Sequence, residues 1–189
     1  MVEQQQDMDM LGTPQAIVDL LSALEMRSRD RAKGLPQQEL IQRFWEGVMF
    51  YIGDSRFVAP LSAVKEILNF PATLTQVPGT KPWMLGVANV RGTLIPVIDL
   101  QLFLIGRKTR RGRRNRVLVF DMGDSYTSIL VGEVVGMRHF TKETAREAKD
   151  LSDTFEKYVK LEFDQDGMTW PVFSLSALAE DPAFQIAAV

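Results

Sequence analysis

Residues able to do covalent or metal chemistry are scarce in this chain of 189 amino acids. Cysteine is absent and histidine occurs once, at His139, which excludes disulfides, thiol nucleophiles, cysteine-ligated metals and a histidine pair for a metal ion. No serine sits in a nucleophile elbow, no Walker-type glycine loop occurs, and no GxGxxG follows a strand pattern. Carboxylates are numerous, yet their spacing picks out no acid/base pair for glycosidic or proton-transfer chemistry. His139, in Gly136-Met137-Arg138-His139-Phe140 just past a strand, reads as a surface histidine. The expectation is therefore no enzyme, no metal, no cofactor and no small-molecule substrate. What remains is recognition, and its first candidate is the guanidinium of Arg91.

Arg91 lies in Asn89-Val90-Arg91-Gly92-Thr93-Leu94-Ile95-Pro96-Val97-Ile98-Asp99-Leu100, which reads as a strand end, a glycine-assisted turn and a second, strongly apolar strand. Gly92 supplies the positive φ that such a reversal needs, and Asp99 is placed to cap a short helix. Pro96 donates no ladder hydrogen bond, which predicts that its strand runs at a sheet edge or bulge.

The elements around this hairpin follow from periodicity. Thr13-Pro14 is a helix start, and Ile17, Leu20, Leu21 and Leu24 recur at helical spacing up to Gly34, predicting an amphipathic helical extension over 1–40. From Trp45 onward short apolar runs separated by turn residues predict a β-rich barrel or sandwich. Gly53-Asp54-Ser55 recurs as Gly123-Asp124-Ser125, with Val64 and Val134 following. Pro96-Val97-Ile98-Asp99-Leu100 recurs as Pro171-Val172-Phe173-Ser174-Leu175. Two matched pairs in the same order predict a duplication: lobe one over about 45–105, a connector over 106–114, lobe two over about 115–178, and a tail over 179–189 whose helix starts at Asp181-Pro182. Trp83, Phe103 and Trp170 are assigned to the core or the lobe interface.

Net charge is −2, but Arg107 to Arg116 carries seven cations and no acid, leaving −9 for the remainder. No aromatic residue interleaves the tract to stack bases, so it reads as a solvated, self-repelling connector rather than a nucleic-acid contact. A β-barrel nucleic-acid binder using Arg107 to Arg116 is the rival reading, testable by its steep salt dependence. The absence of a long apolar run and of signal-peptide features predicts a soluble, cytoplasmic protein.

Val64-Lys65-Glu66-Ile67, Val77-Pro78-Gly79, Gly86-Val87-Ala88-Asn89-Val90-Arg91-Gly92 and Pro96-Val97-Ile98-Asp99-Leu100 together resemble the signature series of the CheW-like coupling domains of bacterial chemosensory arrays. The N-terminal extension and the run Trp83 to Gly92 are most similar to the adaptors of systems that control type IV pili and twitching motility. The resemblance, which covers about Trp45 to Leu178, implies a mainly β fold of two small five-stranded SH3-like barrels sharing a core. It also implies an adaptor joining the cytoplasmic tip of a methyl-accepting chemoreceptor (PilJ-like) to the regulatory domain of a CheA-type histidine kinase (ChpA-like). Such an adaptor reaches the membrane only through the receptor and works at polar arrays. By the same resemblance Glu66 and Arg91 match a family pair near the receptor groove, and Val64, Gly86 and Gly92 match positions that shape that groove. A receptor hairpin lying there in helix-in-groove fashion would be met by apolar contact from Val64 and Ile67, if these are exposed. The competing reading of Glu66 and Arg91 is a partly buried ion pair that serves folding alone.

Overall fold

The computed structural model describes residues 44–187 apart from 124 and 150; the expected helical extension over 1–40 lies outside the described residues. Among the described residues, eleven strands form two sheets. In chain order they are β1 (Phe44–Ile52), β2 (Ser55–Pro60), β3 (Val64–Asn69), β4 (Met84–Val90), β5 (Thr93–Asp99), β6 (Arg116–Met122), β7 (Ser125–Val131), β8 (Glu133–Thr141), β9 (Ala145–Glu147), β10 (Val159–Gln165) and β11 (Met168–Phe173). The described residues also form four short α-helices, α1 (Leu100–Ile105), α2 (Asp153–Glu156), α3 (Leu175–Ala179) and α4 (Pro182–Gln185).

The strand orders are β3-β6-β7-β5-β4 and β8-β1-β2-β11-β10-β9. The second sheet thus has six strands rather than the expected five, because β9 adds to the free side of β10; its counterpart beside β4 is only the single bridge Thr75↔Val87. Apart from β9, the two orders are the same pattern. The hairpin β6-β7 corresponds to β1-β2, and each has one parallel neighbour, β5 beside β7 and β11 beside β2. Register agrees in detail: Val64 opposes Phe120 as Val134 opposes Phe50, and in both strands the residue after the valine bulges out of the ladder. The duplication read from the turns and the Pro-Val pairs is present in the structure.

The division of strands at the connector is not. Hairpin β1-β2 sits in the sheet of β8 to β11, and hairpin β6-β7 sits in the sheet of β3 to β5, so each repeat gives its first hairpin to the other. Burial explains why this is stable. Along β1, Val48 and Phe50 join the large cluster between the sheets, with Leu118, Phe120, Ile129 and Phe173, while Met49 turns inward to Val58, Phe140, Phe163 and Trp170. Along β6, Leu118 and Phe120 face the shared cluster and Val117 faces Ala88, Val97 and Leu130. The exchanged hairpins are therefore covered on both faces, which accounts for their continuous apolar runs. Each sheet has its own small core and both share the central one.

Pro96 departs from expectation. Strand β5 is interior, between β7 and β4, but its parallel ladder with β7 begins only at Val97, so the missing N–H falls before the first rung. Pro96 instead presents its carbonyl, which accepts the Ser128 hydroxyl at 2.7 Å. The capping expectations hold: Asp99 accepts the Leu102 N–H at 3.1 Å, and at the matching place in the second repeat Ser174 accepts that of Ala177 at 3.1 Å.

The tail belongs to the fold. Asp181 caps α4 with Pro182 in its first turn, and buried Phe184 stacks on Trp83 with rings 4° from parallel. Trp83 and Trp170 are core residues, and Phe103 packs edge-on to Trp83. Asp181 also accepts Lys157 Nζ at 2.7 Å and the Tyr158 hydroxyl. Burial by itself would raise the Asp181 carboxyl; the hydrogen bonds from Lys157, Tyr158 and the Ala183 N–H, with the Lys157 charge, outweigh it and hold the pKa below its ordinary value.

Candidate functional site

Strands β4 and β5 are joined by Arg91 and Gly92 alone, with φ of 50° and 88°. Positive φ at both central positions is the type I′ requirement, matching the right-handed twist of the flanking strands. The Asn89 side-chain oxygen accepts the Gly92 N–H at 2.8 Å and fixes the reversal. Gly92 adopts its angle freely, but Arg91 carries a Cβ in the left-handed region at a cost of roughly 1–2 kcal/mol. A non-glycine residue held there is uncommon, and such strain concentrates at functional positions.

From this tip Arg91 Nη2 reaches Glu66 Oε1 at 2.6 Å. Strands β3 and β4 are the two edges of the five-stranded sheet, so the ion pair joins edges that no ladder hydrogen bond connects. The second sheet repeats the device. The turn Asp166-Gly167 between β10 and β11 has φ of 54° and 72°, and Asp166 pairs with Arg138 on edge strand β8 at 2.9 Å, with the charges reversed. Asp166 and Gly167 follow Arg91 and Gly92 by the same interval that separates Pro171 from Pro96. Asp-Gly is a strong hairpin signal, and that shared interval would have located this second site from sequence.

The Arg91 side chain is 82% exposed and that of Glu66 25%. The pair is thus open on the Arg91 side and partly buried on the Glu66 side, a geometry compatible with a contact role and with a folding role; exposed pairs contribute about 0–1 kcal/mol. Between the two residues lies a concavity of about 220 Å³ lined by Val90, Thr93, Ile95, Val119 and Tyr126 as well as Lys65. All five strands of the sheet contribute to it, and it places apolar surface beside a guanidinium and a carboxylate.

The other resemblance-derived residues are placed differently. Val64 and Ile67 are half-buried and pack on the central cluster, so the condition set for their role as contacts, exposure, is only partly met. Gly86 is buried at φ 136°, where a Cβ would come within 2.5 Å of the Thr75 carbonyl oxygen. Its requirement is for backbone. Gly92 shapes the turn, with open space around it. Among the described residues, no group of three His, Asp or Glu side chains is arranged to hold a metal ion. His139 lies at the surface and bonds Glu46 at 2.7 Å.

The basic tract is largely exposed, as a solvated connector would be, but it is held in place. Buried Thr109 gives its N–H and hydroxyl to Asp99 at 2.9 and 2.6 Å, and buried Asn115 accepts the Gly112 N–H at 2.6 Å and donates to the Gly132 carbonyl at 2.9 Å. Arg111 lies over the Phe70 ring at 3.9 Å. The segment is pinned at two polar anchors that charge counting does not reveal.

Residues 46–183 match the family model of the CheW-like domain, and the chain belongs to that family. Among individual proteins it is similar to Protein PilI of Pseudomonas aeruginosa, 38% identical over 171 residues, covering 90% of this chain and 95% of that one. It is also similar to Protein FrzA of Myxococcus xanthus, 33% identical over 57% of this chain and 62% of that protein. The scaffolding protein TtCheW from Thermoanaerobacter tengcongensis shares the fold at a TM-score of 0.66 and 18% identity, over 77% of this chain and 99% of that structure.

Proposed function

We propose that this protein is a non-catalytic adaptor that couples a methyl-accepting chemoreceptor to a CheA-type histidine kinase, in the cytoplasmic signalling array that governs type IV pili. The family, and the likeness to Protein PilI along nearly the whole chain, support the chemosensory and pilus parts of this reading. The observation that carries the contact role is Arg91: strained at a hairpin tip, largely exposed and braced by Glu66 over an apolar hollow. A rigid guanidinium beside desolvatable surface is the composition of an interface hot spot. The partners are a receptor of the PilJ kind and a kinase of the ChpA kind, with Glu66, Arg91 and the hollow between them meeting one of these. Gly86 and Gly92 set the backbone there, and Val64 and Ile67 support it from beneath.

Such a protein needs no reaction of its own. An adaptor that binds two arrangements of a receptor–kinase assembly with unequal affinity shifts their populations by that difference and no more. The test is calorimetric titration of the full chain with the receptor's cytoplasmic tip and, separately, with the kinase regulatory domain. Binding to both, weakened by Arg91→Ala in at least one, supports the reading; binding to neither overturns it.

A further inference from the structure

The fold fixes a concentration of positive charge that the receptor–kinase reading leaves unused. Residues 107–110 with Arg114 and Asn115 form one wall of a cleft of about 1090 Å³. The opposite walls are Tyr51 and Gly53 at the first hairpin, Gln101 of α1, and Gly132 to Val135 where β7 passes into β8. Arg107, Lys108, Arg110 and Arg114 line it, and it shares no residue with the hollow at Arg91. Arg114 meets Glu133 at 3.4 Å, whereas Arg107, Lys108 and Arg110 have no hydrogen bond or ion pair among the described residues.

Like charges in a free loop move apart, and holding them together opposes folding. Here the chain does hold them, through Thr109 on Asp99 and Asn115 on Gly112 and Gly132, with Thr109, Asn115 and Gly132 themselves in the cleft lining. A cost of this kind, built in by buried anchors, is the mark of a surface awaiting negative charge.

We infer that this cleft is a docking site for an extended acidic polypeptide segment of a partner protein, separate from the Arg91 surface. Three features choose a polypeptide. The cleft's volume of about 1090 Å³ has room for several residues. It mixes cations with apolar contact from Tyr51 and half-exposed Val135. It also contains Asp54 and Glu133, which would repel the unbroken charge of a polyphosphate or nucleic-acid backbone but tolerate a chain whose carboxylates are interspersed with other side chains. No glycine nest or ring of stacking aromatics is present in the lining to favour a nucleotide.

The test uses the full chain and a labelled octapeptide of alternating glutamate and leucine, read by fluorescence anisotropy in low salt. A glutamine-for-glutamate peptide, a single-stranded oligonucleotide and inorganic triphosphate serve as comparison probes. The protein variants are the triple change Arg107→Ala, Lys108→Ala, Arg110→Ala, which leaves both anchors intact, and a charge-matched triple change outside the cleft, Arg113→Ala, Lys142→Ala, Lys160→Ala. The expected result is saturable binding of the acidic peptide only, lost at least ~tenfold in the cleft variant and less than ~threefold in the control, with unchanged melting temperatures. No saturable peptide binding, equal loss in both variants, or tighter cleft-dependent binding of the oligonucleotide or triphosphate would each overturn the proposal.

Discussion

Replacing Arg91 by glycine separates contact from folding more cleanly than replacing it by alanine. Arg91→Ala removes an ion pair whose arginine is 82% exposed, so the stability loss is at most about 1 kcal/mol. It leaves a Cβ at φ 50°. Arg91→Gly removes the same ion pair but also relieves the left-handed strain of roughly 1–2 kcal/mol, partly offset by the greater freedom of glycine in the unfolded chain. The two variants should therefore melt within about 4 °C of the parent, with glycine the more stable of the two. An arginine that acts as an interface anchor is worth about 2 kcal/mol or more, so both variants should bind a partner about 30-fold more weakly. Thermal melts followed by circular dichroism, beside calorimetric titration with the receptor tip and the kinase regulatory domain, read both quantities. Loss of fold in Arg91→Gly, or unchanged affinity for both partners, would refute the reasoning.

Gly86→Ala should destabilise by about 2–4 kcal/mol, since the added Cβ meets the Thr75 carbonyl at 2.5 Å and φ is 136°; denaturant melts should show a matching fall in midpoint. Phe184→Ala should cost about 3–5 kcal/mol by opening the stack on Trp83, showing that the tail is part of the folded unit. Because Asp181 titrates below its ordinary value when folded, it adds stability above about pH 4, and this is lost as pH falls through the folded pKa. Asp181→Asn should thus lower stability near neutral pH by about 1–3 kcal/mol, and the deficit should shrink in acid melts below about pH 4.

Much of the fold is written in local pattern. The hairpin turn at Gly53 and the capping Asp99 and Ser174 take their expected places, because turn and cap chemistry is decided by residues three or four apart, whereas Pro96 does not, its strand being interior to the sheet. Which hairpin enters which sheet is not local. The continuous apolar runs of β1 and β6 say that both faces are buried, but either partner sheet would satisfy them, and only packing selects the exchange. At the candidate site, Arg91 and Gly92 were legible from the hairpin, whereas the exposure of Arg91 and the edge-joining geometry depend on how far the sheet curls. The anchoring of the basic segment is not legible, because Thr109 and Asn115 are ordinary in sequence and their bonds to Asp99, ten residues away, and to Gly132, seventeen away, form only once the chain has folded back on itself.

The central claim is that this chain signals by bridging, and the direct measurement is whether it holds two proteins at once. Receptor cytoplasmic tip and kinase regulatory domain, which should not associate by themselves, are mixed with and without the full chain and resolved by sedimentation velocity. The account predicts a ternary species that requires the parent protein and is strongly depleted with Arg91→Gly, which melts within about 4 °C of the parent. Two mutually exclusive binary complexes, or a ternary species indifferent to Arg91, would contradict it.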